Sequence, residues 1–399
     1  MLAPEDAEKL INQHLACLPI ESLPVGQCAG AVLRENVYAE RDQPPFDRVA
    51  MDGVAIASSA AARGRRRFRV QAMQAAGDAQ MALASAENCI EVMTGAVLPA
   101  GCDSVVPVEM LDRADGHIEL QDGLTPVAWG NVHRRASDYS QGALLLEVGN
   151  VLHAPEIAVA ASAGMARVRV SSQPAIAVVS TGNELVEPGE PIAPHQIRRS
   201  NAYAVAAALR QRGFHRVADD HVRDDAEELR ERLKLHLTTH EVLILSGGVS
   251  MGRLDLVPQT LESIGVRCVL HGVAQRPGRP MWYGASAEGQ SVFALPGNPV
   301  STLVCLSRYV VPALYRAMGM PTPPVERVAL SELVQWPRQL TGFMPVRLFH
   351  DDWGRPWATP CPTNGSGDFA ALALTHGFIE LPPGPADFVK GYVCRLHRW

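Results

Sequence analysis

Apolar positions recur at helical spacing only in short stretches of this chain, each bounded by glycine, proline or aspartate. Pro4-Glu5-Asp6 opens the first, with Leu10, Ile11, His14, Leu15 and Leu18 on one face and acidic residues in the first turn, the pattern of an amphipathic helix. From Pro44 to Gly142 the rhythm becomes short alternating runs such as Phe68 to Met73 and Cys89 to Met93, which predict strands. Between Ser172 and Gly319 strand, glycine loop and helix repeat. Strands are expected at 175–180, 242–246 and 292–295, and helices at 200–212, 225–237, 256–264 and 299–318. That alternation predicts a doubly wound, mainly parallel sheet with helices on both faces. Beyond Pro321-Thr322-Pro323-Pro324 short strands return at 325–330, 344–349, 377–381 and 392–396.

The expected fold is multidomain α/β plus β. Residues 1–43 and 142–172 form an N-terminal domain, 44–141 a β-rich inserted domain, 173–319 a central doubly wound α/β domain and 320–399 a small C-terminal β domain. With 399 residues, 47% hydrophobic and 20% charged, the chain has material for several cores and is not of disordered type. A net charge of −6 supplies no general attraction to nucleic acid or an anionic membrane, so Arg63-Gly64-Arg65-Arg66-Arg67 reads as a solvated loop. No apolar run reaches the roughly 18 residues of a membrane helix. Met1 to Lys9 carries no basic region leading into an apolar run, so no signal peptide is expected and the chain is read as cytoplasmic. Eight cysteines without a Cys-x-x-Cys pair fit reduced thiols better than a zinc ribbon or dithiol redox site. Small-molecule chemistry is favoured.

In open α/β sheets ligands bind where loops leave the carboxyl ends of strands. Three such loops are glycine-rich here: Thr181-Gly182-Asn183-Glu184, Gly247-Gly248-Val249-Ser250-Met251-Gly252 and Pro296-Gly297-Asn298-Pro299-Val300-Ser301. Glycines let backbone N–H groups approach an anion, and a helix starting at Pro299 turns its positive end toward one. A P-loop is excluded, because none of Lys9, Lys234 and Lys390 stands in Gly-Lys-Ser/Thr. Carboxylates at Asp52, Asp138, Glu184, Asp224, Asp225 and Asp255 beside such loops suggest Mg²⁺ bridging bound phosphate, although for any single aspartate a cap or turn role is the better reading, Asp224-Asp225 before a helix being such a case. Gly248-Val249-Ser250-Met251-Gly252 also matches a nucleophile elbow, with Asp351 and His376 following in order, so a serine hydrolase using Ser250 stays open. His236 and His240 have zinc-pair spacing but lack the accompanying glutamate and read as surface histidines near a helix end.

Taken together the segments resemble the molybdopterin molybdenumtransferase family, the MoeA type shared with the E domain of gephyrin. The matching pieces run in order through nearly the whole chain: Pro45-Phe46-Asp47 with Ala50-Met51-Asp52-Gly53, Met93-Thr94-Gly95-Ala96, Ser180 to Leu185, Ser246 to Ser250, Pro277-Gly278-Arg279-Pro280 and Leu295 to Ser301. The resemblance implies an elongated homodimer of four-domain chains, with residues 1–43 and 142–172 in dimerisation and an active site shared between subunits. It implies small-molecule substrates, adenylated molybdopterin and molybdate, with hydrolysis of the adenylate, transfer of molybdenum to the dithiolene and assistance by Mg²⁺. By position Thr181, Gly182, Ser200, Asn201, Gly247, Gly248, Val249, Ser250, Pro296, Gly297, Asn298, Pro299 and Ser301 would hold pterin and phosphate. Asp52, Asp138, Glu184, Asp255, Arg276 and Arg279 would serve the chemistry, and Glu184, Asp224 and Asp255 the metal.

The chain departs from the family's usual pattern at Asn183, where the family reads aspartate, and at Gly272, Arg276 and Arg279, where it carries lysines; Arg253 stands where an acid is common. Arginine supplies 33 of the 36 basic residues, and a guanidinium fork is not a compact ammonium charge. A second reading follows from these departures: a non-catalytic paralogue that binds molybdopterin or the finished cofactor as a carrier or scaffold. Molybdoenzymes and cofactor-synthesis proteins are the expected protein partners.

Overall fold

Three strands whose residues are apolar on both faces form the floor of the central domain: Ile176–Thr181 (β1), Val242–Ser246 and Ser291–Leu295 are buried at every position. The structure, a computed structural model, describes residues 1–249, 256–336, 338–384 and 386–399. With Val217–Val222 as β2, Val242–Ser246 as β3, Arg267–His271 as β4, Trp282–Ala285 as β5 and Ser291–Leu295 as β6, the sheet order is β2-β1-β3-β6-β5-β4. β1 runs parallel to β2 and β3, and β3 to β6, whereas β5 lies antiparallel to both β6 and β4. The mainly parallel sheet therefore has an antiparallel edge that the short, half-exposed segment 267–271 did not announce.

Because neighbouring strand residues face opposite ways, the sheet carries two cores. Ile176, Val178, Ile244 and Phe293 face one, and Ala177, Val179, Leu243 and Leu245 the other. The helix Pro4–His14 (α1) and the helix Asn201–Gln211 (α2) pack on the first face through Ala7, Ile11, Val205 and Leu209. Residues 4–14 thus lie on the α/β layer. Helices Ala226–Thr239 (α3) and Leu256–Ser263 (α4) cover the second face. The helix expected over 299–318 is continuous but changes pitch, from Pro299–Cys305 (α5) through a π turn at Leu306–Val310 to Val311–Ala317 (α6). The turn leaves both Arg308 and Tyr309 at 2% exposure.

Strand Ile20–Pro24 pairs with Arg167–Ser171, and Val37–Tyr38 with Leu144–Leu146. Between these returns lies a six-stranded sheet built from Ser104–Pro107, Gly53–Ile56, Asn88–Val92, Arg67–Gln74, His117–Leu120 and Leu111–Ala114, in that spatial order. At the C-terminus Thr341–His350, Pro356–Pro360, Arg327–Leu330, Val393–Arg398 and Gly377–Leu381 pair in turn, and the last returns to the first, closing a barrel. The segment Gln275–Arg276 of the α/β domain adds to it, in parallel, against Thr341–Gly342.

A buried charge cluster joins the same units. Arg308 Nη1 lies 2.6 Å from Glu8 of α1, its Nε 3.5 Å from Glu380 of the barrel, and Glu380 accepts from His397 Nε2 at 3.0 Å. Burial alone would raise the Glu380 pKa. The His397 hydrogen bond and the Arg308 charge outweigh it and bring the carboxyl down to about 2. Burial lowers the His397 pKa, so at neutral pH a neutral imidazole donates to that carboxylate. A carboxyl at about 2 folded, against 4.5 for the free group, favours folding above pH 4.5. The contribution, about 3 kcal/mol, is lost as pH falls from that value toward 2. Urea unfolding at pH values from 6 down to 3 is expected to show a steeper loss of stability for the wild type than for Glu380→Gln.

Candidate functional site

Two adjoining cavities open where the carboxyl ends of the central strands meet the barrel, and the loop Pro296–Ser301 divides them. The first, about 410 Å³, is lined by Ser180, Thr181, Glu184, Ser200, Asn201, Ser246, Gly247, Gly297, Asn298 and Pro299, with Gly367 and Phe369 from the barrel. Its floor is held by Asn201, at the start of α2. The amide Nδ2 donates to Ser246 Oγ at 2.9 Å and to the Gly297 carbonyl at 2.7 Å, tying the ends of β3 and β6 together. Among the described residues, Asn201 Oδ1, Ser180 Oγ and Thr181 Oγ1 are buried there without a hydrogen-bond partner. Leaving such atoms unpaired costs about 1–3 kcal/mol each, so the three point to a polar ligand.

The glycine at 247 is dictated by space. Its φ is +104°, and a Cβ would stand 2.6 Å from the Thr181 carbonyl oxygen, so only glycine lets the loops after β1 and β3 touch. Gly297 packs against Gly247 without such crowding. Glu184 folds its carboxylate back over Gly182 at the mouth of this cavity. Asn183 and Asp224 exchange hydrogen bonds, Asn183 N donating to Asp224 Oδ2 at 3.4 Å and Asp224 N to Asn183 Oδ1 at 3.2 Å. The neutral amide keeps the loop in shape but removes a negative charge. Asp225 caps α3 through the N–H groups of Glu227 and Glu228.

The second cavity, about 690 Å³, is lined by Gln275 to Pro280, Pro296, Asn298, Val300 and Ser301 on one side, and by Trp336, Arg338, Leu340, Phe343, Met344, Pro345 and residues 362–366 on the other. It has Arg276, Arg279 and Arg338 and no acid among its described lining residues. Among the described residues none of these three arginines is in an ion pair. Asn298 Nδ2 donates to Ser366 Oγ at 2.7 Å and Val300 N to the Ser366 carbonyl at 3.0 Å, so the barrel is latched to the start of α5. Gly272, where a lysine was expected, has φ +87°, which a lysine would strain.

Over this ground three family models match in sequence: the MoeA N-terminal region (domain I and II) at residues 2–164, a probable molybdopterin binding domain at 177–316 and the MoeA C-terminal region (domain IV) at 327–398. A molybdopterin molybdenumtransferase from Synechocystis is 38% identical over 400 residues, with both chains covered in full. The chain belongs to the MoeA family. Molybdopterin molybdenumtransferase 2 of Mycobacterium tuberculosis is 32% identical, covering 100% of this chain and 99% of that one. A molybdopterin biosynthesis MoeA structure from Pyrococcus horikoshii superposes with a TM-score of 0.83 at 28% identity, over 100% of this chain and 99% of that one.

Several residues expected at the site do not line these cavities, Asp52 and Asp138 having been expected from the inserted domain of a partner chain. Asp52 and Asp138 are in the inserted domain and line neither cavity. Asp52 accepts from the backbone N–H and the hydroxyl of Thr94, both at 2.7 Å, which hold its pKa below the usual carboxylate range. Asp138 faces His133 Nε2 at 3.2 Å. Val249 is 1% exposed and packs in the core with Leu229 and Val257. Ser250, Arg253 and Asp255 lie outside the described residues. The hydrolase relay is not formed, because Asp351 accepts from Trp353 N, Arg355 N and Trp357 Nε1 while His376 Nδ1 accepts from Leu348 N. His236 is not a surface residue: it is 8% exposed and bonds Asp220 at 2.7 Å.

Residues the sequence reading missed come mostly from the barrel: Trp336, Arg338, Phe369 and Asn364-Gly365-Ser366-Gly367. Only that last polar, glycine-rich run had a local signal. Arg199 was missed as well; at 4% exposure it pairs with Asp219 and Glu187 and fixes the segment leading into Asn201. Gly247→Ala is expected to lower stability by about 1–3 kcal/mol in urea unfolding, because backbone at both ends of the contact must give way.

Proposed function

We propose that this chain transfers molybdenum from molybdate to adenylated molybdopterin and hydrolyses the adenylate, in molybdenum cofactor biosynthesis. The observation that carries the reading is the pairing, among the described residues, of a three-arginine cavity free of acids with a cavity of unpartnered hydroxyl and amide oxygens across one glycine loop. Molybdate is a small dianion, and Arg276, Arg279 and Arg338 supply charge and forked donors for it. Thr181, Ser200, Asn201, Gly247 and Asn298 take the phosphorylated pterin, with Ser180 Oγ and Asn201 Oδ1 meeting its polar edge. The divide at Asn298 then sets dithiolene and oxyanion side by side, so that proximity supplies much of the rate.

Among the described residues no three metal-ligating side chains cluster. The donor set still fits Mg²⁺, which keeps waters and takes one or two carboxylates plus substrate phosphate oxygens. Glu184, with Asp255, would hold it, and the ion would neutralise charge developing on the phosphoanhydride. Asn183 lowers the charge of this site and predicts weaker metal affinity than an aspartate would give. Asp52 and Asp138 complete the site from the partner subunit of a homodimer, the Thr94 hydrogen bonds holding the Asp52 carboxyl below the usual carboxylate range.

Purified protein supplied with adenylated molybdopterin, molybdate and Mg²⁺ is expected to release AMP as cofactor forms. Arg276→Ala with Arg279→Ala is expected to raise the KM for molybdate about tenfold or more. Binding of the pterin without AMP release overturns this reading in favour of the carrier, which Asn183 and Gly272 would suit.

A further inference from the structure

The loop that carries Arg276 and Arg279 stands on three buried, uncharged side chains, Gln275, Cys305 and Tyr309, of which only Gln275 borders the larger cavity. Gln275 is fully buried. Its Oε1 accepts from the Tyr309 hydroxyl, and its Nε2 donates to the Pro277 carbonyl at 3.1 Å and lies 3.5 Å from Cys305 Sγ. Cys305, also fully buried, donates its thiol to the Gly278 carbonyl at 3.7 Å; burial pushes that thiol up to about 12, so it keeps its proton. Gly278 has φ +90°, and a Cβ there would stand 2.6 Å from Cys305 Sγ and 2.7 Å from Gln275 Nε2. Loop and pedestal leave no slack. The backbone bonds Val273 N to Arg279 O and Met281 N to Gly278 O close the loop above them. Tyr309 reaches Gln275 from the π turn, whose neighbouring residue Arg308 binds the barrel.

We infer that Gln275, gripped by Tyr309, is a positioning residue that fixes the Pro277–Gly278 bend and so aims Arg276 and Arg279 into one oxyanion cavity. The inference rests on the reading of that cavity as the molybdate site. An aliphatic residue of the same length would fill the space but release the Pro277 carbonyl, and the two guanidiniums would no longer share a fixed separation.

The test compares wild type, Gln275→Met, Tyr309→Phe and the double variant by thermal unfolding, by amide exchange at Val273 and Met281, by calorimetric titration with molybdate and by KM and kcat. Each single variant leaves a buried polar group unpaired and should unfold at lower temperature, while the double variant removes both partners and should regain most of that loss. Exchange at the two amides should nevertheless stay at least about tenfold faster in both Met variants, with the molybdate Kd and KM raised about five- to tenfold and kcat within about twofold. Recovery of molybdate affinity together with stability in the double variant, or unaltered exchange at both amides, overturns the positioning role. A wild type that binds no molybdate, with loop exchange responding as stated, refutes the oxyanion reading and supports the role of Gln275 in shaping the loop.

Discussion

Both cavities depend on how the α/β domain is fastened to the barrel. A cleft between two separately folded units has a fixed width only if backbone, and not merely side chains, crosses it. Here Gln275–Arg276 pairs with Thr341–Gly342 as an added strand, and Thr341 N donates to the Ala274 carbonyl at 3.1 Å. The barrel is closed elsewhere, so this is where its sheet accepts another segment. Arg308 reinforces the junction from below. A buried guanidinium is costly to desolvate and is retained where its two carboxylates come from different units, Glu8 and Glu380, so the cluster holds only when α1, the π turn and the barrel are all in register.

Within that frame the site is built from locally unfavourable choices. Gly247 and Gly278 occupy positive φ in crowded surroundings, and Ser180, Thr181 and Asn201 bury polar atoms that no described residue satisfies. Each costs stability, and the two apolar faces of the sheet beneath offset it. Apolar alternatives at these positions would make a more stable fold without a polar cavity.

Much of this could be read from residues alone, and the failures share a cause. Strand 242–246 and its glycine loop were legible because burial on both faces and a turn leave signals within ten residues of one another. Arg276, Arg279, Asn201 and Asn298 were named from motif position, and each lines a cavity. The antiparallel edge, the barrel closure and the contribution of Arg338 and Asn364 to Ser366 arise from pairing between segments far apart in sequence, which leaves no local period. His236 was misjudged for the same reason, since neither spacing nor residue type tells that it is drawn onto Asp220, and nothing local shows that the Val249 side chain packs in the core.

The scarcity of lysine acquires a structural meaning in the larger cavity. A lysine ammonium on a flexible stem can find an anion by moving, whereas a guanidinium earns its bidentate geometry only if its backbone is held still. Arg276 and Arg279 are both exposed, with Arg279 Nε 3.2 Å from Met1 Sδ, so side-chain packing holds them only lightly. The rigidity comes from beneath, where Gln275, Cys305 and Tyr309 leave the loop no space to flex. Arg338 meets the same need differently, lying 5.5 Å from the Trp336 ring centroid, while Trp336 itself packs on Gly342 of the joining strand. Arginine in place of lysine at the proposed oxyanion site therefore demands a stiff scaffold below it, which is the role we infer for the polar pedestal.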